Sequence, residues 1–371
     1  MENLTNVVLV TYPDSFRLEE AKSLVESLPH YKIVKVFTQK YLDHAEYGLG
    51  SGKAEEIKNF VKGSQSVGVQ QIVVDEHLTT KQIYNLEKLT EIRVIDRERL
   101  ILNIFSSRAT TTESKLQIQL AEIKYQIPRV RQNSKITSGS ERPGKGGMGE
   151  YVVDVKLREL KKQMSFVKEK LEYAHRKREL YHRQRIETEL PVISLVGYTS
   201  SGKTTLFNLL TTSTRETSDD LFTTLSTTTR SLKVNNNTKV LLVDTVGFIS
   251  RLPHYMVDAF KSTLEESLGA DMILLLVDSS EEIDDIRIKY WSCWNVLEEL
   301  KVEKSKVLVI LTKYDDENMH SEKVEEIASN LELSNPMVIS SKGGYGISKL
   351  KTMMGKVLLP HHLHPTTIDR T

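Results

Sequence analysis

The sequence predicts an α/β protein in three parts. These are a small parallel-sheet α/β domain over residues 1–107, an antiparallel helical hairpin over 108–190, and a doubly wound, mostly parallel sheet over 191–371. Three observations predict this. Short apolar runs alternate with helical patterns at both ends of the chain. Between them, apolar residues recur at three- and four-residue spacing. A glycine-rich turn, Gly197-Tyr198-Thr199-Ser200-Ser201-Gly202-Lys203-Thr204, follows the apolar run 192–196 and precedes an amphipathic helical pattern.

In the first part, strands are predicted at Val7–Val10, Ile33–Phe37, Gln71–Val74 and Arg93–Ile95. Helices are predicted at Phe16–Leu28, Ala54–Lys62, Thr80–Leu89 and Arg97–Phe105. In the second part, Ala109, Leu116, Leu120, Ile123 and Ile127 form one apolar stripe, which Pro128 is expected to end. Leu157, Leu160, Met164, Val167, Leu171, Ala174 and Tyr181 form another, interrupted on the seam by Arg178. The glycine-rich stretch 138–149 lies between them, so the two helices should bury their stripes on each other. The third part reads as strands Val192–Val196, Ser231–Val234, Val240–Asp244, Met272–Asp278, Val307–Thr312 and Met337–Ser340. Its helices start near Lys203, Met256, Ile286, Ser321 and Gly346. Asn235-Asn236-Asn237 reads as the turn of a hairpin, giving one antiparallel strand in the sheet.

The chain has 371 residues, 27% of them charged and 39% hydrophobic, with a net charge of +1, so no global polyelectrolyte argument applies. The lone cysteine, Cys293, has no partner for an internal disulfide. The apolar run 272–277 is too short to span a bilayer, and the first residues lack the pattern of a signal peptide. A cytoplasmic protein without integral membrane association is the expectation. Charge is uneven locally. Residues 156–185 hold eleven Lys or Arg against four Glu, a formal +7, and Arg142 and Lys145 add to the glycine-rich stretch. A solvated helix face would account for this; an RNA-phosphate contact would account for it and for the basic loop together. DNA is not expected as a partner.

The turn at 197–204 has the form of a phosphate-binding loop. Gly197 and Gly202 let backbone N–H groups turn towards a phosphate, Lys203 reaches the β- and γ-phosphates, and the Thr204 hydroxyl is placed to ligate Mg²⁺. Thr205 opens the following helix, whose dipole favours an anion at that end. Three later segments add to it. Asp244-Thr245-Val246-Gly247 follows an apolar strand and has the D-x-x-G pattern, with Asp244 holding Mg²⁺ through water and the Gly247 N–H meeting a γ-phosphate. Thr312-Lys313-Tyr314-Asp315 is similar to N-K-x-D, where Asp315 accepts from guanine N1–H and the exocyclic amine. Adenine would leave that carboxylate unpaired, at a cost of about 1–3 kcal/mol. Ser340-Ser341-Lys342 is similar to S-A-K, whose backbone contacts guanine O6. Between residues 221 and 230, a threonine hydroxyl should complete Mg²⁺ coordination only with a γ-phosphate present; Thr224 and Thr223 compete for this role, beside Phe222. Together these segments describe a Ras-like P-loop G domain. Phe248 occupies the place where many such domains carry a water-orienting Gln, so slow intrinsic hydrolysis is expected and no catalytic base is assigned.

With these segments in order, the chain resembles the HflX family of ribosome-associated GTPases. The block 196–208 is similar to the family's G-Y-T-N-A-G-K-S-T-L-F-N, and Leu221-Phe222-Thr223-Thr224-Leu225 to its L-F-A-T-L, which selects Thr224 as the Mg²⁺ ligand. The run 244–249 with Leu252-Pro253-His254 continues the likeness, as does 259–266. In the first part, Gly50-Ser51-Gly52-Lys53 with Glu55-Glu56-Ile57, and Asp96-Arg97 with Leu100-Ile101-Leu102, Ile104-Phe105 and Arg108-Ala109, are similar to family patterns. The resemblance implies GTP hydrolysis, binding to the large ribosomal subunit and its rRNA, action in splitting, rescue or recycling of ribosomes, and a hairpin that reaches into the ribosome.

The chain departs from the family at several positions. Ser200 replaces an Asn that helps bind K⁺ in related GTPases, and Thr312 replaces the usual Asn. Tyr151-Val152-Val153-Asp154 replaces T-Q-L-E, and the chain ends soon after the last helix, as in archaeal-type members. An alternative reading is an RNA-remodelling chaperone with a second nucleotide site at Gly48-Leu49-Gly50-Ser51-Gly52-Lys53. That segment is one residue short of phosphate-loop spacing, and Ala54 lacks a hydroxyl. A glycine turn before a helix explains it equally well.

Overall fold

The computed structural model describes residues 4–63, 68–138, 148–186, 190–211, 221–222, 228–234, 239–260, 269–314 and 321–358. The chain divides into two compact units, Met1–Tyr173 and Ala174–Thr371.

The first unit carries a four-stranded, all-parallel sheet in the order β2-β1-β3-β4, with β1 Thr5–Thr11, β2 Tyr31–Thr38, β3 Gln71–Val74 and β4 Arg93–Asp96. Helices α1 (Ser15–Glu26), α2 (Ser51–Lys62), α3 (Thr80–Thr90) and α4 (Arg97–Arg108) alternate with the strands. Because helices cover a parallel sheet on both faces, its two central strands, β1 and β3, carry apolar runs without alternation, and Val7 to Val10 and Ile72 to Val74 are all fully buried. The helix starts are read from their caps. The Asp14 carboxylate accepts from Arg17 N–H, and Thr79 with Gln82 forms a reciprocal capping box.

Two long helices, α5 (Thr112–Ser138) and α6 (Met148–Ile186), form the helical hairpin, and the division between the two units falls within α6. The predicted seam of α6 is the inward one: Leu160 and Val167 are buried and Leu157, Met164 and Leu171 half-buried. Pro128, expected to end the first helix, lies inside α5. A mid-helix proline costs about 3 kcal/mol in a free helix. Here the turn beyond it is held from outside. Arg129 donates to the Asp96 carboxylate at 2.6 Å and to the Leu78 carbonyl at 2.9 Å, and the Thr80 N–H and hydroxyl donate to Gln132 at 3.2 Å each. Tertiary contacts override the local rule.

The second unit carries a six-stranded sheet in the order β10-β9-β8-β5-β7-β6. Its strands are β5 Val192–Gly197, β6 Thr228–Lys233, β7 Lys239–Asp244, β8 Met272–Asp278, β9 Val307–Thr312 and β10 Met337–Val338. β6 runs antiparallel to β7 in the expected hairpin, and the other pairings are parallel. The proposed Asn235–Asn237 turn lies outside the described residues. Helices α7 (Lys203–Thr211), α8 (Ile283–Glu299), α9 (Ser321–Asn330) and α10 (Ile347–Leu358) cover the sheet, with a further helical segment at 254–260. β10 stops two residues earlier than expected, because Ser340 turns the chain. The core joins Leu195, Leu206, Phe207, Leu242, Leu274 and Ile310, all fully buried. From β5 the chain goes to β7 on one side and later to β8 on the other. The carboxyl ends of β5 and β8 therefore flank the crevice where such sheets bind ligands. Among the described residues, no helix is long and apolar enough to cross a membrane.

Candidate functional site

The glycine-rich turn leaves β5 at this crevice. Gly197 has φ +154°, and a Cβ on it would sit 2.5 Å from the Leu276 carbonyl oxygen and 2.7 Å from Ser201 Oγ, so glycine is required on both counts. Gly202 has φ +90° and open space around it, so there only the backbone conformation asks for glycine. Ser200 is also left-handed, at φ +61°.

The turn curls around Lys203, the first residue of α7. Its ammonium donates to the Gly197 carbonyl at 3.1 Å and the Tyr198 carbonyl at 2.6 Å. Burial pulls its pKa down to about 8, against the opposing pull of the Asp244 carboxylate. Two carbonyls account for two of its three N–H bonds, which leaves donor capacity for an anion. Beside it, the Thr204 hydroxyl donates to Asp244 at 3.0 Å, so strand β7 delivers its terminal carboxylate to the start of α7. A hydroxyl next to a carboxylate is an all-oxygen donor pair suited to Mg²⁺. The buried hydroxyls of Thr199 and Ser201 have no hydrogen-bond partner among the described residues. Orphaned donors in a phosphate-loop turn fit an anionic ligand there. Thr205 is half-buried in the first turn of α7.

The residues after β7 close over the turn. Thr245 is buried and donates to the Leu195 carbonyl at 2.6 Å, and Val246 is buried beside it. Phe248 N–H donates to the Gly197 carbonyl at 3.0 Å, Thr199 N–H to the Phe248 carbonyl at 2.8 Å, and Ser250 N–H to the Tyr198 hydroxyl at 2.6 Å. A Cβ on Gly247 would meet Thr199 Cγ2 at 2.9 Å and Lys203 Nζ at 3.1 Å, so only glycine fits this approach. The Phe248 ring is buried and offers no hydrogen bond to a water.

At the end of β9, Thr312 is buried and its hydroxyl lies 2.9 Å from the Ser201 carbonyl and 3.1 Å from that of Val277. Thr312, which stands in place of the family's usual Asn, thus contacts the backbone of the turn after β5. Lys313, at φ +60°, directs its ammonium to the Asp278 carboxylate at 2.5 Å. Asp278 also accepts from Ser280 through N–H and hydroxyl. Ser340 is buried and caps its own turn, accepting from Gly343 N–H at 2.6 Å; Ser341 is half-buried and Lys342 exposed. The loops carrying Tyr314 and Tyr345 are joined, with Tyr314 N–H donating to the Ile339 carbonyl and the two rings 5.0 Å apart. Phe222 is buried at φ +59°. Thr223, Thr224 and Asp315 lie outside the described residues. Asp278 escaped the motif reading, although a carboxylate ending the fully apolar strand β8 at the crevice is itself a signal.

The corresponding crevice of the first unit, between β1 and β3, is closed by charge. Arg97 reaches Asp75 at 2.6 Å and Glu20 at 2.7 Å, all three buried, and Thr11 donates to Asp75 at 2.8 Å. The Gly48–Lys53 turn spends its contacts internally. A Cβ on Gly48 would lie 2.2 Å from Leu78, Gly50 N–H donates to Gln39, and Lys53 pairs with Glu56 at 2.6 Å.

Residues 15–106 match the model described as GTP-binding GTPase N-terminal, 108–185 the GTP-binding GTPase middle region, and 192–313 the 50S ribosome-binding GTPase. The GTPase HflX of Methanocaldococcus jannaschii is 36% identical over 343 residues, covering 92% of this chain and 83% of that protein. The chain belongs to the HflX family of GTPases. HflX of Escherichia coli is 34% identical over 350 residues, covering 94% of this chain and 80% of its own. A solved GTP-binding protein from Sulfolobus solfataricus in complex with GDP shares the fold, with a TM-score of 0.50 and 26% identity over 96% of this HflX chain and all of that one.

Proposed function

We propose that this HflX protein binds GTP and GDP with Mg²⁺ at Gly197–Thr205, hydrolyses GTP slowly, and works on the large ribosomal subunit in splitting, rescue or recycling. Three functional parts, 1–107, 108–190 and 191–371, carry the work, in the cytoplasm. The observation that carries the nucleotide reading is the buried Lys203 ammonium, ringed by the Gly197 and Tyr198 carbonyls beside the Thr204–Asp244 pair. Thr204 would hold Mg²⁺, with Asp244 acting through water and Thr224 joining when a γ-phosphate is bound; the ion would supply positive charge beside the phosphates. Asp315 selects guanine, supported by Lys313 and the turn at Ser340–Lys342.

The Phe248 ring cannot orient water, so we place the limit on hydrolysis at positioning of the attacking water, relieved when ribosome contact orders the two segments around the γ-phosphate. GTP then favours the bound state and hydrolysis favours release. The 50S ribosome-binding description of the matched model and the basic run at 156–185 support this partner.

The test is titration with GTP and ATP, repeated on Asp315→Asn, together with co-sedimentation on separated ribosomal subunits with a GTP analogue or GDP. GTP preference lost in the variant, and large-subunit association favoured by the analogue, are expected. Equal GTP and ATP affinity, or a hydrolysis rate unmoved by large subunits, would overturn the reading.

A further inference from the structure

We propose that Asp278 is a positioning residue for the nucleotide base. It anchors the Lys313 ammonium so that the lysine stem lies fixed at the carboxyl ends of β8 and β9, as an apolar shelf for the face of the base. The backbone around Lys313 is held without this ion pair. Thr312 stands opposite Asp278 in the β8–β9 register, and its carbonyl accepts from Ser279 N–H at 3.2 Å and from the Ser279 hydroxyl. On the other side, Tyr314 N–H donates to the Ile339 carbonyl at 3.2 Å. What remains for the ion pair to fix is the Lys313 side chain, whose ammonium lies 2.5 Å from Asp278 Oδ2. The other carboxylate that acts on Lys313, Glu281, is taken by Lys289.

The pair is lopsided. The Asp278 side chain is 5% exposed and the Lys313 side chain 43%. A head anchored at a buried point, on a side chain that stays open, presents its four-carbon stem to a ligand. Asp278 is itself held: its Oδ1 accepts from Ser280 N–H at 3.1 Å and from the Ser280 hydroxyl at 2.6 Å, which leaves Oδ2 to the lysine. Backbone conformation points the same way. Lys313 holds φ +60°, a left-handed conformation that glycine adopts freely and a lysine rarely. A residue kept there at that cost is placed for its side chain. An untethered lysine carries large rotamer entropy, which a ligand packing on its stem has to remove. The tether removes it beforehand, so contact with a planar base loses less freedom. Methylenes meet the face of a ring and not its edge. The shelf therefore serves guanine and hypoxanthine alike, and leaves base choice to the groups along the edge.

This inference rests on the nucleotide reading of the site and adds a residue to it. The test is a double-mutant cycle on the full-length protein, with Asp278→Asn, Lys313→Met and the two combined, titrated with GDP and with inosine diphosphate. Methionine keeps an apolar stem and has no head to anchor. Each single variant is expected to lose about three- to ten-fold in affinity for either nucleotide, and the double variant no more than either alone. Losses that multiply in the double variant would show that Asp278 supports the loop and not the lysine, overturning the proposal. A loss confined to GDP would also overturn it, assigning the pair to the base edge. Lys313→Arg keeps a cation for Asp278 and should lose less than Lys313→Met, a comparison that decides even where Asp278→Asn fails to fold. Equal losses in those two variants, or none in Lys313→Met, would overturn the tether. Absence of GDP binding by the unaltered protein would sink the nucleotide reading and the shelf with it, whereas multiplying losses in a protein that binds GDP sink the shelf alone.

Discussion

The Thr312 hydroxyl, at the end of β9, sits 2.9 Å from the Ser201 carbonyl in the turn after β5. Two residues 111 positions apart in sequence thereby tie the end of β9 to the turn after β5. Thr312→Val keeps the shape and removes the single hydroxyl proton shared between the Ser201 and Val277 carbonyls. A destabilisation of about 1–2 kcal/mol is expected, with weaker GDP binding, while Thr312→Ser retains both. Denaturant midpoints and GDP titration check this; an unperturbed Thr312→Val protein would remove the contact from the argument.

Lys203 gives a signed pH dependence. Its folded pKa is lowered by burial to about 8 from 10.5, so between those values the unfolded chain binds more protons than the folded one. This group's contribution to stability therefore rises as pH rises through that window, in the nucleotide-free protein. A polyphosphate beside the ammonium restores the charged form, so GDP binding above pH 8 should take up a proton. Calorimetry in two buffers of different ionisation enthalpy would then give different apparent heats at pH 9 and equal heats at pH 6.5. Equal heats at both pH values would contradict it.

The parts of this molecule legible in the sequence are those whose geometry follows from local chemistry. Glycine at 197 and 202 announces the tight turn after β5, because few other residue types adopt that path. The Leu160–Val167 seam is legible because helix periodicity repeats over many turns. The parts that escaped depend on distant neighbours. Pro128 reads as a helix end until Arg129 meets Asp96 and Gln132 meets Thr80. The importance of Asp278 appears only when Lys313 arrives from β9. Arg97, part of a recognisable Asp96-Arg97 pattern, gave no hint that its guanidinium would be buried between Glu20 and Asp75.

That buried arginine makes a clean prediction. Removing the cation from a buried ion-pair cluster takes its charge from both carboxylates, and Arg97→Met does so for Glu20 and Asp75 together. A loss of about 3–5 kcal/mol is expected, large enough to melt the first unit at moderate temperature. GDP affinity should persist, since the candidate nucleotide residues begin at Gly197. Hydrogen exchange, read separately over 4–108 and 190–358, distinguishes the two units. Protection lost equally across both would show that Arg97 supports more than its own sheet.

Ser200 holds a left-handed backbone at φ +61° within the phosphate turn, a conformation that costs an L-residue about 1–2 kcal/mol and that asparagine tolerates better. The family pattern places Asn at this position, and the strained backbone supplies a reason independent of any bound K⁺. Ser200→Asn is therefore expected to raise stability without nucleotide, since asparagine fits the existing φ better. Two melting series separate the explanations, one in potassium and one in sodium. A gain present equally in both salts identifies backbone conformation as the cause. A gain confined to potassium identifies ion binding, and shows that the strain at Ser200 contributes little.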